Sequence, residues 1–123
     1  MRINFNTASI PREAAKRLKK QLSIKHSKAL EWTAFVLGYR NWYELCAQLG
    51  HETASALDES CGPDELKLRL EYQESRLLTC LAREPDVGAS VSAGSILAEW
   101  RPSAARPRKH AKGLNSTDPA DSR

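Results

Sequence analysis

The sequence lacks long apolar segments. Its longest stretch without a charged residue covers 12 residues, 87–98, and is rich in glycine, serine and alanine. A membrane-spanning helix needs about 20 mostly apolar residues, so this composition excludes a transmembrane segment. The first residues contain no continuous apolar run either, and we therefore expect no secretory signal.

Cysteine and histidine are also sparse, with three of each in 123 residues. The cysteines are odd in number and widely spaced, which argues against a disulfide framework and fits a reducing cytoplasm. Structural zinc sites use close pairs of Cys or His ligands, and the sequence has no such pair at a suitable spacing. We therefore predict no metal site.

The motifs that carry catalysis are missing as well. The sequence has no Gly-x-Ser-x-Gly elbow, no glycine-rich phosphate loop and no pair of acids flanking a plausible cleft. Small helical proteins rarely enclose a deep pocket. We therefore predict no enzymatic activity, no cofactor and no small-molecule substrate.

The pattern of apolar residues predicts an all-α fold. In residues 9–22, apolar side chains recur every four positions at Ile10, Ala14, Leu18 and Leu22, with basic residues on the opposite side. This is the pattern of an amphipathic helix. We expect Ser9 to be its N-cap.

Two more helices follow at once and form a tight corner. The second runs from Ser27 to Gly38, where a glycine suits a left-handed helix end. The third begins after Asn41, with Glu44 completing a capping box. We expect the aromatic residues around this corner to be mostly core, and we expect Trp42→Ala to unfold the module.

The rest of the chain divides by composition. We assign residues 1–50 to a compact three-helix module, 51–62 to a linker, 63–85 to a long amphipathic helix and 86–123 to a disordered basic tail. The sequence of that tail allows one short helix, over residues 95–100. Because its apolar residues are few, we expect truncation after Glu84 to leave stability nearly unchanged.

Charge is distributed unevenly along the chain. Residues 1–50 carry a net +6, residues 51–85 a net −4 and residues 86–123 a net +2, so the whole chain is +4. The basic first part can meet a polyanion, or it can meet the acidic middle of the same or another chain. Ordinary solvated helix faces are the simpler alternative.

The corner also has the spacing of helix-turn-helix proteins, with Ala34 followed by Gly38. In that hypothesis the third helix reads DNA, although no Lys or Arg lies inside it, and the first helix and the tail contact phosphates. The candidate contacts to phosphate or to a protein partner are Arg12, Lys16, Lys19, Lys20, Lys25, Lys28, Arg40, Tyr43, Arg106, Arg108 and Lys109.

Residues 8–50 resemble the short helical module called the glyoxalase-related domain. The residues that carry the resemblance are His26, Ser27, Ala29, Leu30, Ala34, Gly38, Tyr39, Asn41, Trp42 and Leu45. The resemblance implies a three-helix fold and a bacterial origin. It does not imply glyoxalase chemistry, which belongs to a paired βαβββ metal-binding domain whose strands and ligands this sequence lacks.

Two functions follow as hypotheses. The first is a non-enzymatic cytoplasmic interaction module that binds a protein partner or a second copy of itself. The alternative is a small DNA-associated protein with nonspecific phosphate contacts, whose affinity would fall steeply with salt. Neither hypothesis involves a membrane.

Overall fold

The protein is all-α in the part of the chain that the computed structural model describes, residues 1–88 and 92–105. This confirms the predicted fold class. The helices are α1 (Ser9–Leu22), α2 (His26–Val36), α3 (Trp42–Gln48), a 3-10 helix (Asp58–Ser60), α4 (Pro63–Ala82), the short α5 (Pro85–Gly88) and α6 (Ala93–Trp100).

The first three helices lie where the apolar pattern predicts them, but two caps differ. Ser9 is the first helical residue of α1 and not its N-cap, and no side chain caps that end. Asn41 does cap α3, accepting a hydrogen bond from the backbone N–H of Glu44 at 2.8 Å. The Glu44 carboxylate does not return to Asn41, because it accepts the backbone N–H of Arg40 at 2.7 Å.

A first group of buried side chains holds the corner together, and we call it the corner cluster: Ile3, Phe5, Ala34, Leu37, Tyr39 and Leu45. The residues before α1 supply two of its members, Ile3 and Phe5. The backbone N–H of Ile3 donates to Leu37 at 3.0 Å, and the Tyr39 hydroxyl donates to the Ile3 carbonyl at 2.9 Å. The first residues therefore form part of the corner.

Gly38 permits this docking. Its φ is +103°, a conformation that other residues rarely adopt. A Cβ atom at Gly38 would also collide with the backbone of Met1 and Arg2. The glycine thus ends α2 and lets the N-terminal segment approach it closely.

A second group of buried side chains, the central cluster, joins four helices: Ala14, Leu18, Trp32, Val36, Leu77, Cys80, Leu81, Ala93, Ile96, Leu97 and Trp100. α1 packs on α2, α2 on α4, α4 on α6, and α6 back on α1. In this ring α1 and α4 occupy opposite corners. Their exposed faces therefore point away from each other.

The prediction that the chain is disordered from residue 86 is wrong for residues 92–105, and the short helix that the sequence allowed over residues 95–100 is present there as part of α6. Ser92 caps α6 by accepting the backbone N–H of Ser95, and Trp100 is 1% exposed, with its indole N–H donating to the Ala14 carbonyl at 2.7 Å. Ile96, Leu97 and Trp100 are too few to order a segment alone. They fill a gap that α1 and α4 leave between them, which local composition does not reveal.

Residues 51–62, predicted as a linker, form a loop that is attached to the body at Asp58. The Asp58 side chain is fully buried and pairs with Arg69 of α4 at 3.1 Å and with Arg101, beyond α6, at 2.9 Å. The Ser103 hydroxyl donates to the same carboxylate at 2.7 Å. The loop therefore connects the beginning of α4 to the residues that follow α6.

Candidate interaction surface

The exposed side of α1 carries a stripe of basic residues. Arg12, Lys16, Lys19 and Lys20 are all exposed, while Ala14 and Leu18 on the other side are fully buried. The spacing of four and three to four residues places these cations on one helix face. The structure thus brings together these four predicted contact residues, and we call them, with Lys25, the basic face.

Lys25 joins the stripe through the turn after α1. Ser23 adopts a left-handed conformation with a φ of 55°, and the next backbone N–H, that of Ile24, donates back to the Lys19 carbonyl at 3.2 Å. Lys25 follows directly and is exposed at the start of α2. This turn therefore places the backbone of Lys25 next to the C-terminal end of the α1 stripe.

Most of these cations lack an acidic neighbour. Lys16 lies 3.3 Å from Glu13, one turn away on the same helix. Within the described residues, Arg12, Lys19, Lys20 and Lys25 have no ion-pair partner. Their positive charge is available to another molecule.

Lys28 behaves differently from the other predicted contacts. Its ammonium group pairs with Glu84 after α4 at 2.8 Å. This ion pair is a contact between the basic first part and the acidic middle of one chain. It takes Lys28 out of the free basic surface.

Arg17 is a basic residue of α1 that holds the fold. Its guanidinium donates to the Trp100 carbonyl at 3.1 Å, at the C-terminal end of α6. Burial lowers the pKa of Arg17, with the carboxylate of Glu13 acting in the opposite direction. Since cations favour helix C-termini, Arg17 fastens α6 to α1 behind the basic face.

Two of the groups that α3 would use to read DNA, Asn41 and Glu44, are occupied. Asn41 caps the helix, and Glu44 pairs with Arg40 at 3.3 Å and with Arg2 at 3.4 Å. The hydrogen bond from the Arg40 backbone and the two arginines lower the pKa of Glu44, while its partial desolvation acts against them. With seven residues and these side chains engaged, α3 has little left for base contacts.

The aromatic residues of the corner divide into core and surface. Trp32 and Tyr39 are buried, Trp42 is half-buried against the corner cluster, and Tyr43 is 82% exposed. The expectation that most of these rings are core is correct. Trp42 is less buried than its predicted role in stability requires, and Tyr43 is the ring that faces solvent.

Three of the predicted contacts, Arg106, Arg108 and Lys109, lie outside the described residues. Sequence reasoning missed a different arginine, Arg76 of α4. Its guanidinium donates to the carbonyls of Phe35 and Tyr39 at 2.8 and 3.1 Å and stacks 3.7 Å from the centre of the Phe35 ring. Its position between the charged residues of α4 carries no signal of this role, because its partners lie 37–41 residues away.

Across residues 1–88 and 92–105, no group of three or more His, Cys, Asp or Glu side chains is placed to hold a metal ion. In the same part of the chain, every helix is too short or too polar to cross a bilayer.

Comparison with known proteins places the chain in a family. No curated protein and no solved structure gives a significant match. The model of a family described as "glyoxalase superfamily protein" matches residues 1–63, which include the predicted region 8–50. The matched range also takes in the N-terminal segment and the loop with Asp58, both of which the structure packs against the helices. The chain therefore belongs to this family of glyoxalase superfamily proteins.

Proposed function

We propose that this protein is a non-enzymatic interaction module that binds an acidic protein partner through the basic face of α1. The observation that carries the proposal is the group of cations without partners in the described chain: Arg12, Lys19, Lys20 and Lys25. Charged rim residues of this kind steer association and select partners more than they add raw affinity.

The helix presents these cations on a rigid support. Arg12 and Lys20 are eight residues apart, which is about 12 Å along an α-helix. Behind them, Ala14 and Leu18 are fully buried, and Arg17 fixes the helix to the end of α6. The backbone of the residues that carry these charges is therefore already ordered before a partner binds, which reduces the entropic cost of binding.

The polar groups that are best buried have structural partners, which fits a binding role better than a catalytic one. Asp58 is paired with two arginines and a serine hydroxyl. Gln73, also fully buried, donates to Ser103 at 2.9 Å, while its Oε1 atom has no hydrogen-bond partner within the described residues. These groups hold loops and helices together.

A second copy of the chain could be the acidic partner. Two basic faces repel each other, so a second copy would have to present another surface. The exposed side of α4 carries Asp64, Glu71 and Glu74 and points away from α1. Such a contact would be head-to-tail and would give rings or filaments.

Nucleic acid is the second candidate, and the same unpaired cations favour it. Because Asn41 and Glu44 are engaged elsewhere and α3 contains no Lys or Arg, binding would rest on phosphate contacts with little sequence preference. Four such contacts predict that the logarithm of the affinity falls with the logarithm of the salt concentration with a slope of about −3.6. Binding to a protein does not require that slope.

The experiment uses the charge reversal Lys16→Glu, Lys19→Glu and Lys20→Glu in the full chain. These residues are exposed, so the melting temperature should change little. A purified partner obtained by capture from nuclease-treated lysate should lose at least tenfold in affinity for the variant. Binding to a random-sequence DNA duplex, measured at two salt concentrations, tests the second candidate.

A matched pair of single changes serves as control. Lys20→Glu and Lys67→Glu both reverse an exposed lysine on a helix, but Lys67 lies on α4. If the basic face is the binding surface, only the first weakens the complex. Equal weakening by both would show a general charge effect and contradict the proposal. A wild-type chain that does not bind the DNA duplex even at low salt, where electrostatic binding is strongest, would remove the second candidate.

A further inference from the structure

A small cavity lies at the end of the molecule where the N-terminal segment meets α4. Its volume is about 270 Å³, and it is lined by residues 1–3, by Ser55 and Ala56 of the loop, and by Glu65 and Arg69 of α4. Pockets for drug-sized ligands are about 300–1,000 Å³. This cavity therefore suits a molecule or group of a few heavy atoms.

Arg69 is a buried cation with unused donors. Its side chain is 5% exposed, and one guanidinium nitrogen donates to Asp58 at 3.1 Å. A guanidinium has five N–H donors, and within the described residues this is the one hydrogen bond that the Arg69 guanidinium makes. Since Arg69 also lines the cavity, donors remain for an occupant.

The charges around Asp58 do not balance. One carboxylate, with a fully buried side chain, pairs with both Arg69 and Arg101. Its Oδ1 atom also accepts the Ser103 hydroxyl at 2.7 Å. The three side chains therefore sum to one positive charge, with Arg69 nearly buried and Arg101 29% exposed. An anion beside Arg69 would balance that charge.

Ser55 adds a second polar group to the cavity wall. Its hydroxyl oxygen accepts the backbone N–H of Asn4 at 2.9 Å, which leaves its own O–H free to donate. Arg2 adds positive charge at the rim, with a side chain 43% exposed and paired to Glu44. Serine hydroxyls and arginine side chains are typical hydrogen-bond donors to oxyanions in proteins.

We propose that this cavity binds a small oxyanion, a carboxylate or a phosphate group, on Arg69. The site is separate from the basic face and does not depend on the proposed function. Glu65 is the one acid in the cavity wall. It lies one turn before Arg69 on α4 and is exposed, so its carboxylate competes with the ligand for Arg69 and sets a modest affinity.

The test measures binding of inorganic phosphate and of acetate to the full chain by chemical-shift titration, with sodium chloride matching the ionic strength. Glu65→Gln removes the competing carboxylate and should tighten binding severalfold. Glu71→Gln removes the same charge from the exposed side of α4 and should leave affinity unchanged. Ligand binding to the folded state should also raise the melting temperature.

Filling the cavity should have the opposite effect and weaken anion binding. Ala56→Phe places a ring in the cavity and should weaken both anions by at least tenfold. Ala54→Phe, in the same exposed loop but outside the cavity, should not. Because neither residue pairs with Asp58, these variants avoid the unfolding that loss of Arg69 would risk.

The outcomes separate the sources of the anion. Phosphate and acetate that shift the same residues indicate a general oxyanion site, whereas a response to phosphate alone identifies a phosphate group as the ligand. The proposal is wrong if the wild-type chain and Glu65→Gln respond to neither anion more than to chloride. It is also wrong if Glu71→Gln tightens binding as much as Glu65→Gln does.

Discussion

The corner cluster and the central cluster differ in where their residues come from. All buried members of the corner cluster lie between Ile3 and Leu45, inside the family-matched region 1–63. The central cluster takes four residues from that region and seven from α4 and α6. The family-matched region therefore completes one core by itself and supplies four of the eleven buried residues of the other.

This difference shows that the matched region is not an independent body in this chain. Without α4 and α6, the inner sides of α1 and α2 would expose Leu18, Trp32 and Val36 to water. Burying a large apolar side chain contributes about 1.5–3 kcal/mol, and domains of this size are stable by about 5–15 kcal/mol. The second half of the chain is thus needed for the stability of the first.

The largest expected effect is that of truncation after Glu84, which removes α6 and with it Ile96, Leu97 and Trp100. We expect loss of cooperative thermal unfolding, or a melting temperature lower by well over 10 °C, since about 1 kcal/mol corresponds to 4–8 °C in a domain of this size. Circular dichroism of this chain and of one ending at Ala105, which keeps both clusters, measures the difference. An unchanged melting temperature would show that the corner cluster suffices.

The next largest effect concerns the loop that joins the two halves. Asp58→Ala leaves Arg69 and Arg101 without their carboxylate, and removing one partner of a buried ion pair costs about 3–5 kcal/mol. Urea denaturation measures this loss. Asp58→Asn keeps the shape and one hydrogen-bond acceptor, so it should lie between the wild type and Asp58→Ala. If the wild type and the two variants were equally stable, the ion pairs of Asp58 would not contribute to the stability of the fold.

A smaller effect is expected at Trp42, because its ring is half-buried against the corner cluster. We expect Trp42→Ala to cost about 1–3 kcal/mol, less than the 3–5 kcal/mol typical of a fully buried Trp. Leu45→Ala, at a fully buried site of the same helix, provides the comparison and should cost at least as much. Complete unfolding of the Trp42→Ala variant would show instead that the Trp42 ring is an essential part of the core.

The effect that is smallest near neutral pH is a pH dependence in the central cluster. Burial raises the pKa of the Cys80 thiol to about 11, above the ordinary value of about 8.5. Between these values the folded thiol keeps its proton while the unfolded one loses it. The stabilisation is therefore complete below pH about 8.5 and is lost as pH rises toward 11, by at most about 1.4 kcal/mol per pH unit.

Cys80→Ala isolates this contribution from other groups that titrate in the same range. The difference in unfolding free energy between the wild type and Cys80→Ala should change in that pH range and stay constant below it. In thiol labelling near neutral pH, Cys80 should react after the half-buried Cys46. A Cys80 that reacts first would show that the central cluster opens to solvent.

Local patterns were sufficient for the parts of the fold that depend on neighbours in sequence. The repeat of apolar residues located α1, Gly38 marked the end of α2, and Asn41 marked the start of α3. The same patterns located the basic face, because residues three and four apart on a helix necessarily share a side. They allowed a short helix at residues 95–100 but did not show that it is docked, because the three large apolar residues of α6 pack against distant helices.

The sequence by itself determined the all-α class, the tight corner and the basic stripe on α1, because helix periodicity and caps act over a few residues. The tertiary structure alone decided which charges remain free. Lys28, Arg17 and Arg76 have the same chemistry as the residues of the basic face, yet each is bonded to a partner far away in the chain. It also decided that Asp58 forms ion pairs with two arginines. Burial and pairing arise from contacts between distant segments, which no local sequence pattern records.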